Sequence, residues 1–172
     1  PFTFQTCRCI LAVAFLVPAI AVFERQDLKR YGHKWLDKKL WFAGTLCGIA
    51  LFAAASLQQV SLVHTDAGKA GFLTALYVVL VPVFGLFLGR KGSAQLWVSM
   101  AIAVVGLYLL CMKDGFGSIQ SSDWLLLLCA VLFSFQIMAV DHFSPQMDGV
   151  RLSLVEFFVV SVESTVAAFL FE

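Results

Sequence analysis

The stretch SLVHTDAGKAGFLTALYVVLVPVFGLFLGRK, residues 61–91, holds the end of one apolar run, a short polar turn and the whole of a second apolar run. A helix crosses the roughly 30 Å hydrocarbon core of a bilayer with about 20 apolar residues, because each residue advances about 1.5 Å and no water is there to satisfy the backbone. The run 70–89 meets that length, and the turn HTDAGK (64–69) leaves room only for a tight antiparallel hairpin of two membrane helices. Thr65 and Asp66 stand where side-chain oxygens can cap the second helix. Pro82 falls well inside it, withholds the amide that would bond to the Val78 carbonyl, and is expected to kink the helix, either as a static bend or as a hinge lining a cavity.

Working outward from this hairpin, six segments meet or approach the length test: about 3–23, 40–63, 70–89, 95–112, 124–141 and 152–171. The connectors between them are too short for a further domain. The whole chain agrees, at 172 residues with 60% hydrophobic and 13% charged side chains and a mean hydropathy of +0.89. Soluble domains average about 25% charged residues, so this composition selects a bilayer as solvent. The predicted fold class is all-α, a polytopic transmembrane helical bundle.

A net charge of +1 gives no reason to expect a nucleic-acid partner. Cys7, Cys9, Cys47, Cys111 and Cys129 all lie in apolar runs without C-x-x-C or zinc-ligand spacing, so they read as small buried hydrophobes, and neither metal nor cofactor is expected. Residue 1 is Pro and an apolar run follows almost at once, which reads as a piece of a longer protein; Arg8 within that run and the lack of a basic leader argue against a signal peptide.

Basic residues set the expected orientation. Connectors 24–39, 90–94 and 142–151 carry nine Lys and Arg: Arg25, Lys29, Arg30, Lys34, Lys38, Lys39, Arg90, Lys91 and Arg151. The two connectors on the other side hold only Lys69 and Lys113. The positive-inside rule places the nine-charge side in the cytoplasm and residue 1 outside. Trp41, Trp97 and Trp124 stand at the starts of spans, where amphipathic rings favour the interface.

Small residues four apart allow two helices to approach closely in lipid. Gly44 and Gly48, Gly71 with Ala75, and Gly85 with Gly89 are spaced in this way and are expected to carry helix packing, either within the bundle or across a homodimer.

Residues 61–91 resemble the third-to-fourth helix hairpin of EamA-type members of the drug/metabolite transporter (DMT) superfamily. The resemblance rests on Ala70, Gly71, Phe72, Leu73, Thr74, Tyr77, Pro82 and Arg90. The opening FTFQTCRCILAVAFLVPA is similar to the family's second helix, with its arginine at Arg8. SSDWLLLLCAVLFSFQIMAVDHFSP is similar to the start of its second half, with Asp123 before the helix. The resemblance implies ten helices in two inverted five-helix repeats, of which this chain would hold helices two to seven. Residues 1–112 would then belong to the first EamA repeat and 113–172 would open the second.

Charged side chains inside a membrane cost about 2.5–3.5 kcal/mol each on insertion scales, so they mark candidate sites. Arg8 lies only about 7 Å below the outer border by helical rise and either snorkels or contacts substrate. Glu156 sits at a similar depth from the cytoplasmic border, where the family pattern often has an amide. Glu163, about 16 Å in, is the costliest charge; a protonated Glu163 escapes much of that cost, so proton coupling or capture of a substrate amine is expected of it, against a hydrogen bond to a further helix. Gln136 and Tyr77 offer hydrogen bonds to a polar solute or to neighbouring helices. Adjacent Gln58 and Gln59 point about 100° apart, so one of them at most faces a shared cavity.

These features favour a multi-pass protein of the bacterial cytoplasmic membrane that moves a small-molecule substrate. The resemblance implies an exporter or exchanger of an amino acid derivative, nucleobase, vitamin or drug by alternating access. A non-transporting membrane assembly protein is the alternative. An intramembrane enzyme has less in its favour, since no H-E-x-x-H, no phosphate-binding glycine loop and no Ser/His pair at matched depth is present.

Overall fold

The computed structural model describes residues 2–27, 38–90, 92–111 and 121–171. Among them the secondary structure is helical: α1 (Phe2–Asp27), α2 (Lys38–Leu62), α3 (Ala67–Ala75), α4 (Tyr77–Phe87), α5 (Ala94–Cys111), α6 (Ser121–Phe143), a 3₁₀ turn (Ser144–Gln146) and α7 (Gly149–Phe171). The protein is an all-α, multi-pass membrane protein. Five stretches are long and apolar enough to cross a bilayer: Phe2–Ala21, Lys38–Leu62, Ala67–Phe87, Ser122–Gln146 and Gly149–Phe171. The expected span 95–112 forms α5, whose apolar stretch Ala94–Leu109 is shorter. Lys29, Arg30, Lys34, Lys91 and Lys113, and the repeat boundary between residues 112 and 113, lie outside the described residues.

Two compact units make up the chain: Pro1–Phe52 with Ala139–Glu172, and Ala53–Met138. In the first, α1 and α7 lie side by side, and the rings of Phe2 and Phe171 meet at 6.1 Å. The start of one helix therefore stands at the end of the other, and the pair is antiparallel. The first half of α2 packs on α7 through Leu40, Ala43, Leu152 and Val155, with Val140, Phe143, Met147 and Val159 around them. Gly44 faces Val155 and Gly48 faces Val159, so a step of four along α2 matches a step of four along α7. These two helices run in the same direction. A Cβ on Gly44 would come 2.5 Å from Val155 Cγ1, and one on Gly48 would come 2.9 Å from Val159. Only glycine permits that approach, which lets backbone atoms supply the dispersion contacts that drive association in lipid.

In the second unit, Ala70, Phe72, Leu73 and Leu126 form the buried core, with Leu76, Val104, Leu107 and Leu127 packed against it. Phe72 meets Tyr108 of α5 edge-on at 6.0 Å, the arrangement that ring quadrupoles favour. Asp66 caps α3, accepting from the amides of Gly68 at 2.9 Å and Lys69 at 3.4 Å. Thr65, expected to share that task, instead donates its hydroxyl to Ser122 Oγ at 2.7 Å.

The third span is interrupted at Leu76, six residues before Pro82. There the Leu76 amide reaches back only three residues, to Leu73 O, at a long 3.4 Å. Pro82 lies inside α4, and the Val78 carbonyl has no amide at position 82 to bond to. The span ends in a Schellman motif: Gly89 takes φ of +79°, its amide bonds to Leu86 O at 2.9 Å, and the Arg90 amide bonds to Gly85 O at 3.0 Å. Gly89 supplies a left-handed conformation closed to most side chains, and among the described residues the Arg90 side chain lies nearest to a Cβ placed at Gly85. A Cβ at Gly71 would meet no described atom within 4 Å.

Candidate functional site

Within the second unit, polar side chains gather beside the interruption at Leu76. Thr74, one turn before Tyr77, is buried. Gln58 of α2 donates from Nε2 to Thr74 Oγ1 at 3.4 Å, and Thr74 lies beside the Cys129 sulfur of α6. Cys129 donates in turn to Ala54 O at 3.1 Å. Three helices thus close an apolar layer around one hydroxyl, one amide and one thiol, each satisfied by a neighbour, as buried polar groups must be. Of the glutamine pair, Gln58 is the one that turns to this cluster.

Tyr77, at the first residue of α4, sets its ring 6.0 Å from that of Phe133 on α6. Gln136 lies three residues further along α6, about one turn, and is half-buried. The fold therefore brings Tyr77 and Gln136 onto facing helices, with Phe133 between them. Deeper in α4, Phe84 stacks on Phe135 at 5.2 Å and 13°. The Ser134 hydroxyl is occupied by Ala130 O of its own helix at 2.7 Å.

The other three candidates lie in the first unit. Arg8 is exposed on α1. Glu156 is buried on α7, close to Cys47 and beside the Gly48 approach. Measured from the Phe2–Phe171 end, Arg8 is about 9 Å along the antiparallel pair and Glu156 about 22 Å, so they occupy different levels. Glu163 is half-buried, and its Oε2 atom is enclosed without a hydrogen-bond partner among the described residues. Gln5 is similar in kind, being 1% exposed with neither amide atom bonded among the described residues. A groove of about 470 Å³ runs between α1 and α7, lined by Thr3, Thr6, Cys7, Thr165, Ala168 and Phe169. The Thr6 and Thr165 hydroxyls bond to carbonyls of their own helices, Phe2 O at 3.1 Å and Ser161 O at 2.7 Å, so the groove presents mainly methyl and ring surface. No group of three or more metal-ligating side chains occurs among the described residues.

Residues 1–112 match the model of the EamA-like transporter family. The chain belongs to that family. The EamA match takes in α1 to α5, and with them Gln58, Thr74, Tyr77 and Pro82. The chain is also similar to a protein of Archaeoglobus fulgidus described as an "Uncharacterized transporter", with 29% identity over 165 residues, 95% of this chain and 47% of that relative. It thus spans about half the length of the curated relative it matches. No solved structure matches this EamA-like chain.

Two features escaped sequence reading. Lys69 Nζ and Asp123 Oδ2 form a 2.6 Å ion pair across 54 positions, with both side chains largely shielded. Opposite charge at one membrane border was the available signal, but connector composition does not say which helices are neighbours. The second is the Thr74–Cys129 contact; a cysteine in an apolar run carries no mark of a polar partner on another helix.

Proposed function

We propose that the full-length protein is a secondary carrier that moves a small metabolite across the bacterial cytoplasmic membrane by alternating access, as an exporter or exchanger. The substrate class follows the family reading: an amino acid derivative, nucleobase, vitamin or drug. Membership of a transporter family carries this reading. The polar cluster at an interrupted membrane helix supports it, because broken spans free backbone groups for solutes where continuous ones cannot. In this proposal Tyr77 and Gln136 hydrogen-bond the solute from facing helices. Glu163 takes the proton or substrate amine, and Arg8 and Glu156 contact the path at its two ends.

Full-length protein in liposomes, given an imposed proton or solute gradient and a panel of labelled metabolites, should exchange or accumulate at least one of them. Comparison of metabolite pools in cells with and without the gene would choose the panel. Conversion of a metabolite to product without net movement would replace the carrier reading with an enzymatic one.

A further inference from the structure

The geometry points to α3 as a swinging gate of the carrier, hinged at Leu76 and latched by the Lys69–Asp123 ion pair together with the Thr65–Ser122 hydrogen bond. This inference rests on the carrier reading above.

The helix that makes up the third span is divided, and the nine-residue piece Ala67–Ala75 is the smaller part. At Leu76 the backbone remains in right-handed helical space, with φ of −58° and ψ of −15°, while the regular bonding pattern is lost. Small changes of φ and ψ at such a junction turn the segment beyond it without breaking further hydrogen bonds, which is how hinges work. Pro82 leaves the Val78 carbonyl without its helical donor, so the ladder on the α4 side is already weakened by one bond.

At its far end α3, with the turn before it, is tied to α6 by side-chain bonds. Lys69 Nζ to Asp123 Oδ2 is 2.6 Å, and Thr65 Oγ1 to Ser122 Oγ is 2.7 Å. Asp123 lies in the first turn of α6, where its charge is also favoured by the helix dipole. Both bonds join polar groups that are shielded while the latch is closed but lie near the end of a span, where water reaches them once they part, so their rupture costs less than rupture at mid-membrane. What α3 covers is polar: Thr74 rests against the Cys129 sulfur, and Gln58 reaches Thr74. Rotation about Leu76 with the latch released carries Thr74 off Cys129 and opens the cluster to solute.

Cys129 is therefore a built-in reporter. In the full-length protein in nanodiscs, with its other cysteines replaced by alanine, a water-soluble maleimide is added and the Cys129 peptide is followed by mass spectrometry. Thr65→Cys and Ser122→Cys are then introduced together, so that oxidation closes the latch as a disulfide and reduction reopens it in the same molecules. Labelling of Cys129 should fall about tenfold or more on oxidation and recover on reduction, and Asp123→Asn should speed it by about tenfold. Equal rates in the oxidised and reduced protein, no labelling when reduced, or an Asp123→Asn rate at or below that of the parent would each overturn the gate. Failure of the carrier reading looks different: Cys129 labelling would follow the latch while no panel metabolite crossed liposomes containing the wild-type protein.

Discussion

Gly44 and Val155 stand so close that a methyl group on Gly44 would lie 2.5 Å from Val155 Cγ1 and 2.8 Å from its Cβ. The contact is made by the rigid root of a β-branched side chain, which has little rotamer freedom with which to retreat. Gly44→Ala in the full-length protein should therefore cost about 1–3 kcal/mol of stability through overpacking. Val155→Ala added to it should recover part of the loss. Thermal unfolding in detergent, run as a double-mutant cycle, measures both.

Gly71 and Gly89 predict the opposite kind of contrast. At Gly71 added bulk meets no described atom, whereas at Gly89 the backbone itself excludes a side chain with φ of +79°. Gly89→Ala should lose about 1 kcal/mol or more, the cost of holding an L-residue in left-handed space. Gly71→Ala should stay within about 0.5 kcal/mol of the parent in the same melt, because surface changes rarely do more.

Asp66→Ala removes the carboxylate that accepts from the Gly68 and Lys69 amides. The expected loss is about 1 kcal/mol, typical of a helix N-cap. It should appear as faster amide hydrogen exchange in residues 67–75 with little change in α4, since the interruption at Leu76 separates the two helices. Equal acceleration along both would mean that the span behaves as one rod.

Glu163→Gln keeps the shape and removes the charge. In liposomes the wild-type protein should respond to an imposed pH gradient, and the variant should move the same solute at a rate indifferent to that gradient. A variant with unaltered gradient dependence would remove Glu163 from the coupling role.

Tyr77→Phe and Gln136→Ala each delete a hydrogen-bonding group proposed to contact solute. Each should raise the half-saturating solute concentration by roughly fivefold to tenfold, a loss of about 1–1.5 kcal/mol. Thermal stability should change little in Tyr77→Phe, because the ring contact with Phe133 remains. A drop in stability with unchanged half-saturation would assign Tyr77 to helix packing.

Much of this protein was legible in its residues because the deciding quantities are local. Twenty apolar residues at about 1.5 Å each either cross the hydrocarbon or do not, and a Thr-Asp turn before Ala67 either caps a helix or does not. Hydropathy therefore placed the spans, the hairpin at 64–69 and the membrane class, and the pattern around Ala70–Pro82 and Arg90 pointed to the EamA family. Helix rotation was a different matter. Helices apolar on every side have no wet face to fix which residues look inward, so spacing alone could not separate Gly44, packed on Val155, from Gly71, whose added Cβ would meet no described atom. Nor could it place the break at Leu76 rather than at Pro82, or join Lys69 to Asp123 and Thr74 to Cys129. Those depend on which side each helix turns toward its neighbours. That is settled by close packing and polar pairing between segments far apart in the chain, and only the tertiary structure decided it.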